Sequence, residues 1–388
     1  AVSARGAVLS DIKDIERFIG KAQIAGKADI SMRLSGKWSS PLIEGAFGVS
    51  GLSFNGREIG DMQGRCRYRD GMLSLPLVKC RDYPINLTGL IDLRHKEPRS
   101  LILAECRMLS LDRLDDLCGK PGAGWPSSGS VSGSAVLQSQ GLQLTDAGFL
   151  LQGQDIPFRG VEWRRAALSA RLGNQGLVIR GLNAEAGRGT AIRLYGTVDN
   201  AGRMRLNLDA AGLPWRCLGN LPVKPEGKVA LAGSITGTVD HPDFNGLAGG
   251  ENFSYKGTDF KNFSGGIRYD GKNGSLKLKD MFIHPARDPG GRIKLTGELS
   301  AGRLDLEGRM QGIDVALLSS CLGNGAADKI KGRISGTLNI GGQPDHPYIK
   351  AVLRAKELLL AERAVKELCL DVEWDGKSYR LEHSSLNH

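Results

Sequence analysis

The chain has 388 residues, of which 54 are glycine, about twice the usual share, and only 6% are aromatic. A hydrophobic fraction of 40% and a mean hydropathy of −0.22 exclude a disordered chain, and no run reaches the roughly 18 apolar residues of a spanning helix. The net charge of +10 permits attraction to anionic lipid or nucleic acid, but basic residues alternate with apolar ones instead of forming the block of a nucleic-acid arm.

In chain order, AVSARGAVLS lacks the apolar core and small-residue cleavage site of a secretory signal. The first element is a short helix, with Ser10 capping an Ile12-Ile15-Ile19 stripe that closes at Gly20. A glycine-led alternating run ending in a proline turn follows from Gly26, and puts Ile30, Met32 and Leu34 on one strand face. CRYRDGMLSL reads as a hairpin about Asp70-Gly71, two residues that tolerate positive φ. Arg65, Arg67 and Arg69 share one face before that turn, and Leu73, Leu75 and Leu77 share one after it. The strand Ile85-Leu87-Gly89-Ile91, with Asn86 and Thr88 behind it, leads to a second helix. There Ser110 caps Leu111-Leu114-Leu117, and Gly119 ends the helix.

The same succession then returns. A weaker glycine-led run starts at Gly129, a hairpin about Gly173 and Gly176 brings Leu177 and Ile179, and the strand Ile192-Leu194-Gly196-Val198 precedes a short helix from Leu213 to Gly219. The third copy starts at Gly227, turns at Asp270-Gly271 before Leu276 and Leu278, and continues through Ile293-Leu295-Gly297-Leu299, Leu304 and Leu306. Its helix is capped by Asp314 and carries Val315-Leu318-Leu322 up to Gly323. Gly332 and the Asp375-Gly376 hairpin open a fourth copy. Every landmark recurs at about 100 residues, which marks an array of one repeated unit. The boundaries are the end of a preceding repeat at 1–20, units at 21–119, 120–219 and 220–323, and half a unit at 324–388. Each unit is expected to hold roughly eight short antiparallel strands and one short helix. The chain is expected to be a fragment of a longer protein whose other parts carry any signal, anchor or cap.

Alternation leaves one apolar face along the whole array, and that face needs a cover. The side chains are small aliphatics that would not fill a thick sandwich, and one short helix per unit is too little. The expected fold is therefore mostly β, an elongated repetitive antiparallel sheet curled into a U-shaped groove with an apolar interior. The predicted lining is Ile30, Met32, Leu34, Leu73, Leu75, Leu77, Ile85, Leu87, Leu177, Ile179, Ile192, Leu194, Leu276, Leu278, Ile293, Leu295, Leu304 and Leu306. An open trough of this size exceeds the few hundred Å² a soluble monomer normally exposes, so it calls for an apolar ligand, most naturally an acyl chain. Glycines 89, 196 and 297 would widen or bend it at regular intervals.

Other residue groups point to chemistry less directly. Arg65, Arg67 and Arg69 have the composition to meet lipid phosphates or an acidic partner, although a solvated outer face is the commoner role of such a stripe. His241 and His346 sit in equivalent Asp-His-Pro turns and read as turn residues. The seven cysteines show no zinc or redox spacing; Cys118, Cys217 and Cys321 recur at helix ends as small hydrophobes. No nucleophile, phosphate-loop, metalloprotease or dinucleotide motif is present, so the expectation is a non-enzyme without cofactor or metal.

The succession G-x-h-x-h-x-G-T-x-x-x-P, then Tyr/Trp-Asp-Gly-x-Leu-x-Leu, then I-x-L-x-G-x-h resembles the β-repeat of the translocation-and-assembly-module (TamB) family. That family belongs to the AsmA-like superfamily of bacterial bridge-like lipid transfer proteins. The stretches that carry the resemblance are Gly227 to Gly246, Tyr269 to Leu278 and Ile293 to Leu306, with Gly332 to Ala351 and Trp374 to Leu381 in the next copy. The resemblance implies a taco-shaped groove in the periplasm that conducts phospholipid between inner and outer membranes, its full-length chain anchored in the inner membrane. It also implies a partner barrel of the outer membrane, of the BamA/TamA kind, and hence an alternative role as a chaperone-like scaffold for barrel assembly. The chain departs from the pattern in its seven cysteines and in showing no inner-membrane helix.

Overall fold

A computed structural model describes residues 1–11, 23–113, 128–141, 143–187, 189–218, 226–255, 258–286, 288, 290–315, 330–344, 346–360, 363–375 and 378–387. Strands hold 82% of the described residues and helical turns 3%. Where register is defined, every neighbouring pair is antiparallel, and each strand pairs with the next in sequence. The chain divides into two compact units, Ala1–Gly187 with Tyr195–Asn200 and Arg188–Leu194 with Ala201–His388.

The first unit holds β1 (Val2–Val8), β2 (Ile24–Lys37), β3 (Ser40–Phe54), β4 (Arg57–Arg69), β5 (Met72–Cys80), β6 (Ile85–Asp92), β7 (Arg99–Ser110), β8 (Ser130–Gln140), β9 (Gln143–Phe158), β10 (Val161–Gly173) and β11 (Gly176–Gly187). β12 (Thr190–Val198) is divided between the units. The second unit continues with β13 (Met204–Pro214), β14 (Lys228–Gly237), β15 (Pro242–Tyr255), β16 (Thr258–Asp270), β17 (Ser275–Pro285) and β18 (Arg292–Ser300). It ends with β19 (Arg303–Asp314), β20 (Ile330–Gln343), β21 (His346–Leu360), β22 (Arg363–Trp374) and β23 (Tyr379–Asn387).

Among the described residues each repeat holds six strands where eight are expected: β2–β7, β8–β13 and β14–β19. The reason is the β-bulge. A bulge shifts the alternation phase inside a continuous strand, so one long strand reads as two short ones. β5 shifts between Leu75 and Val78, and β17 shifts at the equivalent place, between Leu278 and Met281. The strands that end the three successions shift just before their helical turns, at Cys106/Leu109, Ala210/Leu213 and Met310/Ile313. Each of those three bulges carries one residue in the left-handed region: Met108 at φ 52°, Gly212 at 61° and Gly312 at 57°.

Tight turns close both ends of the strands. Asp70-Gly71 takes the expected two-residue turn, with φ of 50° and 78°. Asn55-Gly56, Arg159-Gly160 and Ala301-Gly302 have the same positive-φ pair. At Asp270-Gly271 the reversal is longer than expected. Gly271–Gly274 form the loop, and the Asp270 carboxylate accepts hydrogen bonds from the Lys272 and Asn273 amides at 2.9 and 3.0 Å. His241 closes a turn as expected, exchanging backbone bonds of 3.1 Å with Thr238.

Of the expected helices, a 3-10 turn is described at Leu9–Asp11, one turn at Leu111–Arg113 and a 3-10 turn at Trp215–Leu218. The rest of the helices expected after Ser10, Ser110 and Asp314, with Cys118 and Cys321, falls outside the described residues.

Candidate functional site

Cross-strand register shows which side chains share a face. In the first unit, one row crosses ten strands from β2 to β11: Ile30, Phe47, Gly64, Val78, Leu87, Ala104, Ala135, Phe149, Ala170 and Ile179. A second row beside it runs from Met32 through Gly45, Gly89, Ile102, Leu137 and Ala147 to Leu177. A third runs through Val49, Met62, Cys106, Gly133, Leu151 and Leu168 to Leu182. No charged residue interrupts any of them. In the second unit, Leu208, Gly233, Gly246, Ile267, Leu278, Gly297, Leu306, Ile340, Ile349 and Trp374 form the equivalent row from β13 to β22. Met281, Leu295, Gly308, Leu338, Ala351 and Val372 lie in the row beside it.

Glycines in these rows fit under their neighbours. A Cβ on Gly64 would lie 2.7 Å from the Phe47 ring and 2.9 Å from Val78. One on Gly308 would lie 2.7 Å from Leu338 and 2.9 Å from Leu295. The three glycines expected to act alike do not. Gly196 and Gly297 hold φ of 139° and 144°, whereas Gly89 has an ordinary strand φ and is simply buried against Ile102.

Most of the predicted lining lies half-buried on this face. Ile30, Met32, Leu73, Leu75, Ile85, Leu87, Leu177 and Ile179 do so in the first unit, and Leu276, Leu278, Ile293, Leu295, Leu304 and Leu306 in the second. Ile192 and Leu194 on β12 are half-buried too. Leu34 shares the face but is 53% exposed. Leu77 is corrected: the bulge in β5 turns it to the opposite face, cross-strand from Arg65, and Val78, 3% exposed, takes its place. Phe47, Phe149, Ile102, Leu137, Leu338 and Ile340 belong to the rows as well. The alternation of Ile43, Gly45, Phe47 and Val49 in β3 already carried that signal.

No second layer covers these rows among the described residues. Two separate compact globules of half this mass would together expose about 18,000 Å²; the chain exposes 24836 Å². Full burial is concentrated at the strand ends that carry the helical turns. In the second unit Met310, Ile313, Ile334, Leu358 and Val365 pack there as one cluster. Nearby, Trp215 lies 5.5 Å from the Phe263 ring, which meets Phe253 edge-on at 5.1 Å. The carboxylate of Asp288 is buried at the same margin, where it pairs with Arg333 and accepts the Asp314 amide at 2.8 Å. One margin is thus closed by packing, and the middle of the face is left half-open.

The other face carries the charged pairs. Arg171 forks onto Asp146 at 2.6–3.1 Å and holds that carboxyl below its usual range, as Lys294 does for Asp280 at 2.6 Å. Lys277 pairs with Glu298 at 3.1 Å, and Lys350 pairs with Glu373. The arginine stripe of β4 lies here. Arg67 meets Glu44 at 3.3 Å and Arg69 meets Asp70 at 3.4 Å, while Arg65 has no charged partner among the described residues. The thiols of Cys66 and Cys106 lie on the apolar side, and burial pushes both above the ordinary thiol range.

Among the described residues no three His, Cys, Asp or Glu side chains converge as metal ligands, and no helix is long and apolar enough to cross a membrane. Comparison with protein-family models, curated proteins and solved structures finds no match to this chain.

Proposed function

We propose that the apolar face holds the acyl chains of lipids and conducts phospholipid along the sheet. The observation that carries this reading is the unbroken register of apolar rows, ten strands wide in each unit and half-exposed at most positions, with buried ones such as Val78, Ala147 and Ala170 between them. A face built only to make local cores has no reason to keep its parity across bulges, yet each bulge restores the next apolar residue to its row. Uncovered aliphatic surface costs about 25 cal/mol per Å² in water, and flexible alkyl chains remove that cost without a fixed docking geometry. On this reading the groove curls around its cargo, the protein works in the periplasm between two membranes, and the longer protein is anchored in the inner one. The repeat resemblance supports the location and an outer-membrane barrel as partner.

The same face supports a second reading, in which the sheet holds unfolded strands of outer-membrane barrel proteins. Mass spectrometry of an organic extract of the purified chain separates the two. The lipid reading expects phospholipid in stoichiometric amount, and an extract free of lipid, with bound polypeptide instead, overturns it.

A further inference from the structure

The outer face of the first unit contains an aliphatic patch that the repeat does not require. Leu77, Leu90, Leu101 and Val136 are 39%, 46%, 45% and 41% exposed, and Leu150 is 62% exposed. Leu90 stands directly cross-strand from Leu101, and the half-buried Leu103 stands cross-strand from Val136, so the patch is continuous over β6–β8. The third repeat has the equivalent strand register and an equivalent apolar inner row, with Gly89 replaced by Gly297 and Ile102 by Leu306. Its outer positions are different in kind. Asp280 stands where Leu77 does, Glu298 for Leu90, Asp305 for Leu101, Glu307 for Leu103 and Asn339 for Val136. Five side chains that are polar in one copy are aliphatic in the other, on the face that water would otherwise cover.

The surroundings of the patch are basic. Arg65 is cross-strand from Leu77, Lys79 and Arg107 are exposed nearby, and none of the three has a side-chain partner among the described residues; of the acids on this face, Asp92 and Asp146 are paired with Arg94 and Arg171, and Glu105 lies beside the patch. The patch is on the order of 400 Å², the size at which an exposed patch is often functional. That is about half of the 800 Å² per partner that a stable dimer buries, which argues against a second copy. Its side chains are short aliphatics on one sheet face, with no aromatic ring to insert at a lipid headgroup layer, which argues against a membrane surface. The patch extends across β5–β9, about 19 Å at the usual strand spacing, and a helix of about 13 residues has that length.

We infer that this face docks an amphipathic helix of a partner protein, with aliphatic side chains against Leu90, Leu101 and Val136 and carboxylates beside Arg65 and Lys79. The site lies on the face opposite the apolar rows, so it stands whatever those rows carry.

The test uses two synthetic amphipathic peptides with one leucine stripe, flanked by glutamate in one and by lysine in the other, titrated into the full chain by fluorescence anisotropy. The glutamate peptide should bind at least tenfold more tightly than the lysine peptide, and less tightly as salt is raised. Leu90→Glu/Leu101→Asp, which installs the residues the third repeat already tolerates, should lose at least tenfold. Arg65→Glu, a surface change, should weaken the glutamate peptide alone and keeps the test open if the double variant does not fold. Equal binding of the two peptides, no binding, or retention by both variants overturns the proposal. So does sedimentation showing a dimer that the double variant abolishes. So too does binding to vesicles of phosphatidylcholine with phosphatidylglycerol that the double variant loses.

Discussion

Met108 offers a test with an unusual sign, because replacing it by glycine should stabilise the protein. It occupies the bulge before the helical turn at φ 52°, where the two later repeats place Gly212 and Gly312. A left-handed conformation costs a non-glycine residue roughly 1–2 kcal/mol. Glycine returns about 0.5–1 kcal/mol of that through its freer unfolded chain. Met108 is 62% exposed, so little burial is lost with its side chain. The net gain for Met108→Gly is about 0.5–1 kcal/mol, which corresponds to a rise of roughly 1–4 °C in the melting of a unit this size. Denaturant unfolding followed by circular dichroism measures it, with hydrogen exchange in β7 and β8 reporting the local effect. The converse change, Gly312→Ala, meets only ordinary contacts of 3.5 Å or more and should cost about 0.5–1 kcal/mol through backbone strain alone. A loss of stability in Met108→Gly would show that the bulge is not where the repeat places it.

Two further outcomes follow from the uneven burial of the apolar face. Ile313 is 0% exposed, so Ile313→Ala should cost about 2–5 kcal/mol, whereas the half-exposed Leu306→Ala in the same strand should cost about half as much; equal costs in chemical denaturation would mean the middle of the face is covered. Burial raises the Cys66 and Cys106 thiols, so fewer thiolates exist at pH 8 than in a free cysteine, and alkylation followed by mass spectrometry should be slower at both. Labelling at the rate of free cysteine would place them outside the rows.

Much of this architecture is legible in the sequence because a period of two needs no context. Ile85-Leu87-Gly89-Ile91 and Ile293-Leu295-Gly297-Leu299 declare their face unaided, and Asp70-Gly71 declares its turn. What stays hidden is the bulge: Pro76 hints at one, but alternation alone does not show that Pro76 and Leu77 together oppose Thr88 and return Val78 to the row, and Lys279 at the equivalent place in β17 gives no hint. That one feature sends Leu77 to the wrong face, and bulges of this kind inflate the strand count from six to eight. The outer leucines are hidden for a related reason. Leu101 and Ile102 are equally apolar, and only the register with Leu90 and Gly89 assigns them to opposite faces.

The central claim is that lipid occupies the apolar rows and not the charged face. A photo-crosslinking residue placed in turn at Leu87, Leu194 and Leu295 measures this most directly, with Thr88, Arg193 and Lys294 as neighbours that point the other way. Phospholipid captured at the three leucine positions and absent from the three controls is the result this account predicts. Capture of polypeptide without lipid at the leucines, or of lipid equally at all six, would contradict it.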